Sequence, residues 1–164
     1  PYLSRGVISL QHVKATVETK GYAAHETIRF FQELAWREYF QRVWWLKGSA
    51  MLHDMRVAQQ GVQHSQMPLA IIQAHTGIDA VDSNIRQLLD TGYMHNHVRM
   101  YVASIACNIG KAHWLTPSQW MYYHLLDGDV ASNTCSWQWV AGTFSDKKYY
   151  CTQHNINTYC HTAQ

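Results

Sequence analysis

Between Glu26 and Trp45 apolar side chains return every three or four positions. Ile28, Phe31, Leu34, Ala35, Tyr39, Val43 and, one residue beyond, Leu46 carry the pattern. That spacing follows the turn of an α-helix and predicts one long helix with an apolar stripe. No stretch alternates apolar and polar residues long enough to make a strand. A chain patterned this way must bury helix faces against helix faces, so the fold class is all-α. The helices are short and not heptad-based, which fits a globular multi-helix domain better than a coiled coil.

The other elements follow from punctuation. Ser49 to Gln63 is polar and broken by glycine, and reads as a loop with a helical turn. Pro68 opens a short helix through Ala74, and Gly77 breaks it. Asp79 is expected to cap a helix through Leu89, ended by Thr91-Gly92. His95 to Asn108 is the next helix, closed near Gly110. Thr116 as cap and Pro117 at the first position predict a helix to about Leu126. Asp127-Gly128-Asp129 is a turn, and Ser132 to Val140 is the last helix, rich in tryptophan.

A length of 164 residues suits one domain and a sizeable core. Charged residues make up only 15% against 47% apolar, which argues against disorder. A net charge of +2 is too small to announce a nucleic-acid or membrane partner. No apolar run reaches the roughly 18 residues of a membrane span. The four cysteines, Cys107, Cys135, Cys151 and Cys160, form no C-x-x-C pair, so zinc and thioredoxin-like sites are disfavoured. They read as reduced thiols of a cytoplasmic or nuclear protein. His95 and His97, two apart on a helix, are expected to point in different directions, so no metal site is expected. Seven Trp, ten Tyr and eleven His allow two readings: an ordinary aromatic core with surface histidines, or a π-rich pocket for a planar ligand.

Three segments stand out: TGYMHNHVRMYVAS (91–104), LLDGDVASNTCSWQWVAGT (125–143) and FQELAWREYF (31–40). Their order and spacing resemble the DNA photolyase and cryptochrome family. PYLSRGVIS (1–9) and TGIDAVDSNIRQLL (76–89) match it as well. The likeness covers most of residues 1–150, and DGDxASNxxSWQW after TGxMHNxxRM is highly specific. It implies the FAD-binding helical domain of that family, over residues 1–164, incomplete on its N-terminal side and with a variable tail over 147–164.

Asn96 and Arg99 are three apart and share a helix face. A flavin ring needs hydrogen bonds along its polar edge and a charge near N5. Taken alone, Arg99 and Asp127 could equally be a helix–helix ion pair. The resemblance makes them a pair beside FAD, with Asp127, Gly128, Asp129 and Asn96 bordering the cofactor and Asn133 facing N5. It also implies that Trp137 and Trp114 belong to an electron-transfer chain whose outermost member has no clear match, Trp44, Trp45 or a tyrosine being substitutes. Without it they would read as two core tryptophans. Glu33, Trp36, Asn96, Met100 and Trp139 match positions that line the lesion pocket, and His97 stands where relatives place a DNA-binding Arg.

The function that the resemblance implies is that of a light-dependent lyase, which repairs pyrimidine dimers in damaged DNA by electron transfer from reduced FAD and works as a monomer. A cryptochrome-like photoreceptor without repair activity and a cofactor-free helical interaction module are the alternatives.

Overall fold

The computed structural model describes residues 2–145 and 147–160; Pro1, Asp146 and residues 161–164 of the expected domain lie outside them. Helix α1 spans Leu10–Thr19, α2 Ala24–Lys47, α3 Leu69–Ile72 and α4 Asp79–Thr91. Helix α5 spans Asn96–Ser104 and widens into a π-turn over Ile105–Ile109; α6 spans Leu115–His124, α7 Val130–Ala141 and α8 Gln153–Cys160. Among the described residues the only sheet-like pairing is an isolated bridge between His64 and Ala112. The all-α expectation holds.

Helices α5 and α7 form the centre. Val98, Tyr101, Val102, Ala103 and Ser104 of α5 are buried, as are Thr134, Cys135, Trp137, Gln138, Val140 and Ala141 of α7. A helix enclosed on most of its surface needs apolar or small residues nearly all round, which α7 and the C-terminal half of α5 supply, while Asn96, His97 and Arg99 mark the less buried start of α5. Helix α4 adds Val81, Ile85 and Leu88 to the same core.

Several expectations are corrected. The stripe on α2 is mostly uncovered: only Val43 is buried, whereas Ile28, Tyr39 and Leu46 are exposed. The C-terminal part of α2 packs on α7 through a small cluster of Val43, Met51 and Cys135, and the stripe beyond it meets no core. Asp79 lies inside α4, whose cap is Ile78. The capping work falls to Asp82, which accepts the N–H groups of Thr76 and Gly77 and the Thr76 hydroxyl. Helix α6 starts two residues earlier than Thr116-Pro117 predicts, with Trp114 as its cap. Helix α7 starts at Val130, because Asp129 accepts the Ser132 N–H and caps it. It is not the last helix: α8 follows, held by buried Ile156 and by the Tyr101 hydroxyl donating to the Asn155 carbonyl at 3.0 Å.

One glycine is dictated by position. Gly92 ends α4 at φ 71°, and a Cβ there would lie 2.5 Å from Leu126 Cγ. Its carbonyl accepts the Leu126 N–H at 2.9 Å. The chain leading into α5 and the chain leading into the Asp127 turn are thereby tied together.

Candidate functional site

Those two chain segments bring their charges to one place. Arg99 Nη2 lies 3.0 and 2.9 Å from the two carboxylate oxygens of Asp127. Its Nε donates to the Met94 carbonyl at 2.8 Å, which fixes the guanidinium from the other side. The N-terminal segment closes over the turn: Ser4 donates to the Asp127 carbonyl and Arg5 to the Leu126 carbonyl.

Beside this pair is a cavity of about 290 Å³. Its apolar walls include Met100, Met121, Leu125, Trp137 and Val140; its polar groups include Asn96, Arg99, Asp127 and Asn133. That mixture, mostly apolar with a few convergent polar groups, is what a small-molecule site uses, and the size is near the lower end of the roughly 300–1,000 Å³ range. A planar ring with a hydrogen-bonding edge fits this chemistry.

The orientation of Asn133 is set by α6. Its amide nitrogen donates to the Ser118 carbonyl at 3.0 Å. The side-chain oxygen is the acceptor that remains, and it suits a ligand nitrogen that carries a hydrogen.

The sequence motifs do not single out a second charged group. Arg37 of α2 also lines the cavity, with Nη1 3.2 Å from Asp129 Oδ2. Gln41 donates to both Asp129 oxygens at 2.8 and 2.7 Å. Burial works against ionisation of Asp129, but the Ser132 N–H and hydroxyl and Arg37 outweigh it and hold its pKa below the ordinary value. Arg37 lies within the FQELAWREYF segment, three residues before Phe40, and its place on the helix of Glu33 and Trp36 is the sequence signal for it.

Of the other expected residues, Asn96, Arg99, Met100, Asp127, Asp129, Asn133 and Trp137 all reach the cavity. Gly128 is buried away from it; a Cβ there would meet the Leu125 and Tyr122 carbonyls at 3.0 and 3.1 Å, so this glycine serves the turn. Trp114 is fully buried in the same core as Trp137 and does not line the cavity. Trp44 packs on the Val43 cluster and Trp45 is 86% exposed; the ring beside Trp114 among the described residues is His113, at 5.7 Å.

Glu33 and Trp36 are exposed on α2, and Trp36 meets Tyr39 and Phe40 at 5.7 Å. Trp139 is exposed against Tyr149. These aromatics do not line the cavity. His97 stacks between His95 at 5.3 Å and Tyr159 at 3.9 Å. The two histidines therefore face each other, contrary to expectation, because His95 is the cap of α5 and not part of it. Burial and then His95 hold the His97 pKa below its ordinary value, with Glu33 acting the other way. A neutral, stacked imidazole is a poor substitute for a cationic phosphate contact. Among the described residues no group of three or more His, Cys, Asp or Glu could hold a metal. No helix among them is long and apolar enough to cross a membrane.

Residues 30–163 match the family described as the FAD binding domain of DNA photolyase. The chain belongs to that family, whose cofactor is FAD. It is 39% identical to a deoxyribodipyrimidine photo-lyase of Synechococcus over 136 residues, covering 76% of this chain and 27% of the relative. It is 30% identical to the same enzyme of Halobacterium salinarum over 167 residues, covering 96% and 35%. A cryptochrome of Synechocystis superposes with a TM-score of 0.84 at 26% identity, over 97% of this chain and 35% of that one. A photolyase of Sulfolobus tokodaii, solved with two FAD molecules, gives 0.79 at 25%, over 97% and 37%. The chain thus spans about a third of the length of these relatives.

Proposed function

We propose that this chain supplies the flavin pocket and the electron-transfer residues of a light-dependent lyase that repairs pyrimidine dimers in DNA. The observation that carries this reading is the cavity bounded by Asn96, Arg99, Asp127, Asn133 and Trp137 in a chain of the photolyase family. Bound reduced FAD supplies the excited electron. Arg99, held by Asp127 and the Met94 carbonyl, would offer positive charge to the polar edge of a ring bound in the cavity. Asn133 offers a hydrogen-bond acceptor. Trp137 walls the cavity, and Trp114, buried in the same core, is the next member of an electron relay. Exposed Trp36 and Trp139, with Glu33, form the surface on which an extruded dimer stacks and hydrogen-bonds. The protein acts as a monomer, in the cytoplasm of a bacterium or in a nucleus, and residues 1–164 act as one domain with a variable end from 147.

The test is repair of a dimer-containing oligonucleotide under blue light by the protein purified with reduced FAD. Repair is expected, with a loss of roughly five- to more than a hundredfold in substrate binding on Trp36→Ala, since stacking on one aromatic is worth about 1–3 kcal/mol. A flavin-loaded protein that binds no dimer and repairs none would sink the reading. That outcome would instead favour a photoreceptor, the second reading, for which the likeness to the Synechocystis cryptochrome speaks.

A further inference from the structure

Trp114 is buried, yet its indole N–H has a charged partner. It donates to Asp54 Oδ1 at 2.6 Å. That is short even for a charge-assisted bond. The other carboxylate oxygen accepts the Gln59 N–H at 2.8 Å, so Asp54 cannot turn away without stranding a backbone donor. Gln59 in turn accepts the Trp114 backbone N–H and donates to the Ala112 carbonyl, both at 2.9 Å. Indole and carboxylate are therefore held together from three sides. His113 Nε2 lies 3.4 Å from the same Asp54 oxygen. The Asp54 side chain is 21% exposed. It stands between a dry indole and water.

An indole that has lost an electron is a far stronger acid at its N–H than the neutral ring. A carboxylate already in hydrogen-bond contact is placed to receive that proton. We infer that Asp54 is the proton acceptor of Trp114 whenever Trp114 is oxidised. The assignment deepens the proposed electron relay and rests on it. One electron leaves Trp114 towards a one-electron oxidant, a photoexcited oxidised flavin reached through Trp137. The Nε1–H bond breaks and an O–H bond forms on Asp54 Oδ1. The products are a neutral indolyl radical and a neutral carboxylic acid, so the Trp114–Asp54 pair is left uncharged and the electron's charge goes to the oxidant; an unpaired charge on the buried indole would be costly. When an electron returns, the proton returns with it and both groups are restored. Until then the separated charge is protected, because refilling the site needs proton and electron together.

Transient absorption on the protein purified with oxidised FAD tests this. In the unsubstituted protein the spectrum of a protonated tryptophan radical is expected to convert to that of the neutral radical, more slowly in D2O. Trp114→Phe should remove the signal of this site. Asp54→Asn keeps shape and acceptor but not the base; it should lose the conversion, and Asp54→Glu should restore it. A readout that needs no light is the Trp114 Nε1–H proton resonance, expected downfield and shifted upfield by Asp54→Asn. No Trp114-dependent radical in the unsubstituted protein would overturn the relay and this assignment with it. A radical that forms but does not deprotonate, or that deprotonates equally in Asp54→Asn, overturns the assignment alone. The D2O measurement uses the unsubstituted protein, so it stands even where a variant fails to fold.

Discussion

Arg99 and Asp127 meet across a sequence separation of 28 residues, one guanidinium nitrogen sitting within 3.0 Å of both carboxylate oxygens. Both side chains are 23% exposed, on the cavity side of the fold. A pair so placed adds little to stability by itself, since partly exposed ion pairs are screened and pay side-chain entropy. Its value lies in holding one cation at a fixed point of the cavity wall.

Arg99→Ala is therefore expected to weaken flavin binding more than it weakens the fold. A hydrogen bond to a charged group is worth about 1.5–3 kcal/mol, or roughly ten- to more than a hundredfold in affinity. Flavin retained on gel filtration and its absorption spectrum read the effect. Unchanged retention and an unchanged spectrum would remove Arg99 from the site.

Gly92→Ala tests how the site is assembled. The left-handed backbone at φ 71° costs a residue with a Cβ roughly 1–2 kcal/mol, before the overlap with Leu126 is counted. For a domain of this size each kcal/mol lowers Tm by roughly 2–4 °C, so a fall of several degrees is expected. The Leu126 shift should also move the Asp127 turn, so flavin affinity should drop with Tm. A variant with native Tm and affinity would show that the turn tolerates the change.

The helix with Asn96 and Arg99 and the Asp127–Asp129 turn are legible in the sequence because local signals and family motif coincide there. Helix α8 is hidden: its polar sequence has little periodic pattern, and tertiary contacts at Ile156 and Tyr101 hold it. The segment from Gly48 to Gln66 is legible as a loop with one helical turn, which the structure places over Gly48–Leu52, but what fixes it is not. Its order comes from Asp54, Gln59 and Gln138 bonding to distant partners, which no local pattern announces. The α2 stripe misleads for the opposite reason, since strong helical periodicity says that a face exists and not that something covers it.

Acid should loosen the α2–α7 contact first. In the fold Asp129 and Asp82 both titrate below their ordinary value of 3.8; burial opposes this, while the Ser132 and Thr76 hydrogen bonds and Arg37 and Arg86 outweigh it. The unfolded chain then takes up protons more readily than the folded one, so stability falls with falling pH. The contribution is complete above the ordinary value and is lost as pH drops through the lower folded values. Tm measured from pH 7 down to 3 should decline at the acid end, and Asp129→Asn should flatten that decline. It should also lose up to about 1 kcal/mol at neutral pH, because the amide caps α7 but no longer forms an ion pair with Arg37. An identical acid slope in the variant would count against Asp129.

Gln138 offers the sharpest distinction between size and hydrogen bonding. Its Nε2 donates to the Met51 and His53 carbonyls at 2.7 and 3.1 Å, and its Oε1 accepts from the Met55 N–H and the Thr143 hydroxyl at 3.0 and 2.8 Å. All four capacities of a fully buried amide are used. Gln138→Glu has nearly the same shape but turns an oxygen towards two carbonyls, and as a buried charge it would be worse still. Leaving a buried group unpaired costs about 1–3 kcal/mol, so either Gln138→Glu or Gln138→Ala should lose several kcal/mol in denaturant unfolding. Packing alone would make the glutamate mild and the alanine severe; hydrogen bonding makes both severe. Hydrogen exchange should rise across residues 51–59, and the Trp114 N–H should exchange faster because Asp54 sits in that segment. A glutamate variant as stable as the native protein would mean that the segment is held by packing, and the polar account of how Trp114 is fixed would fall with it.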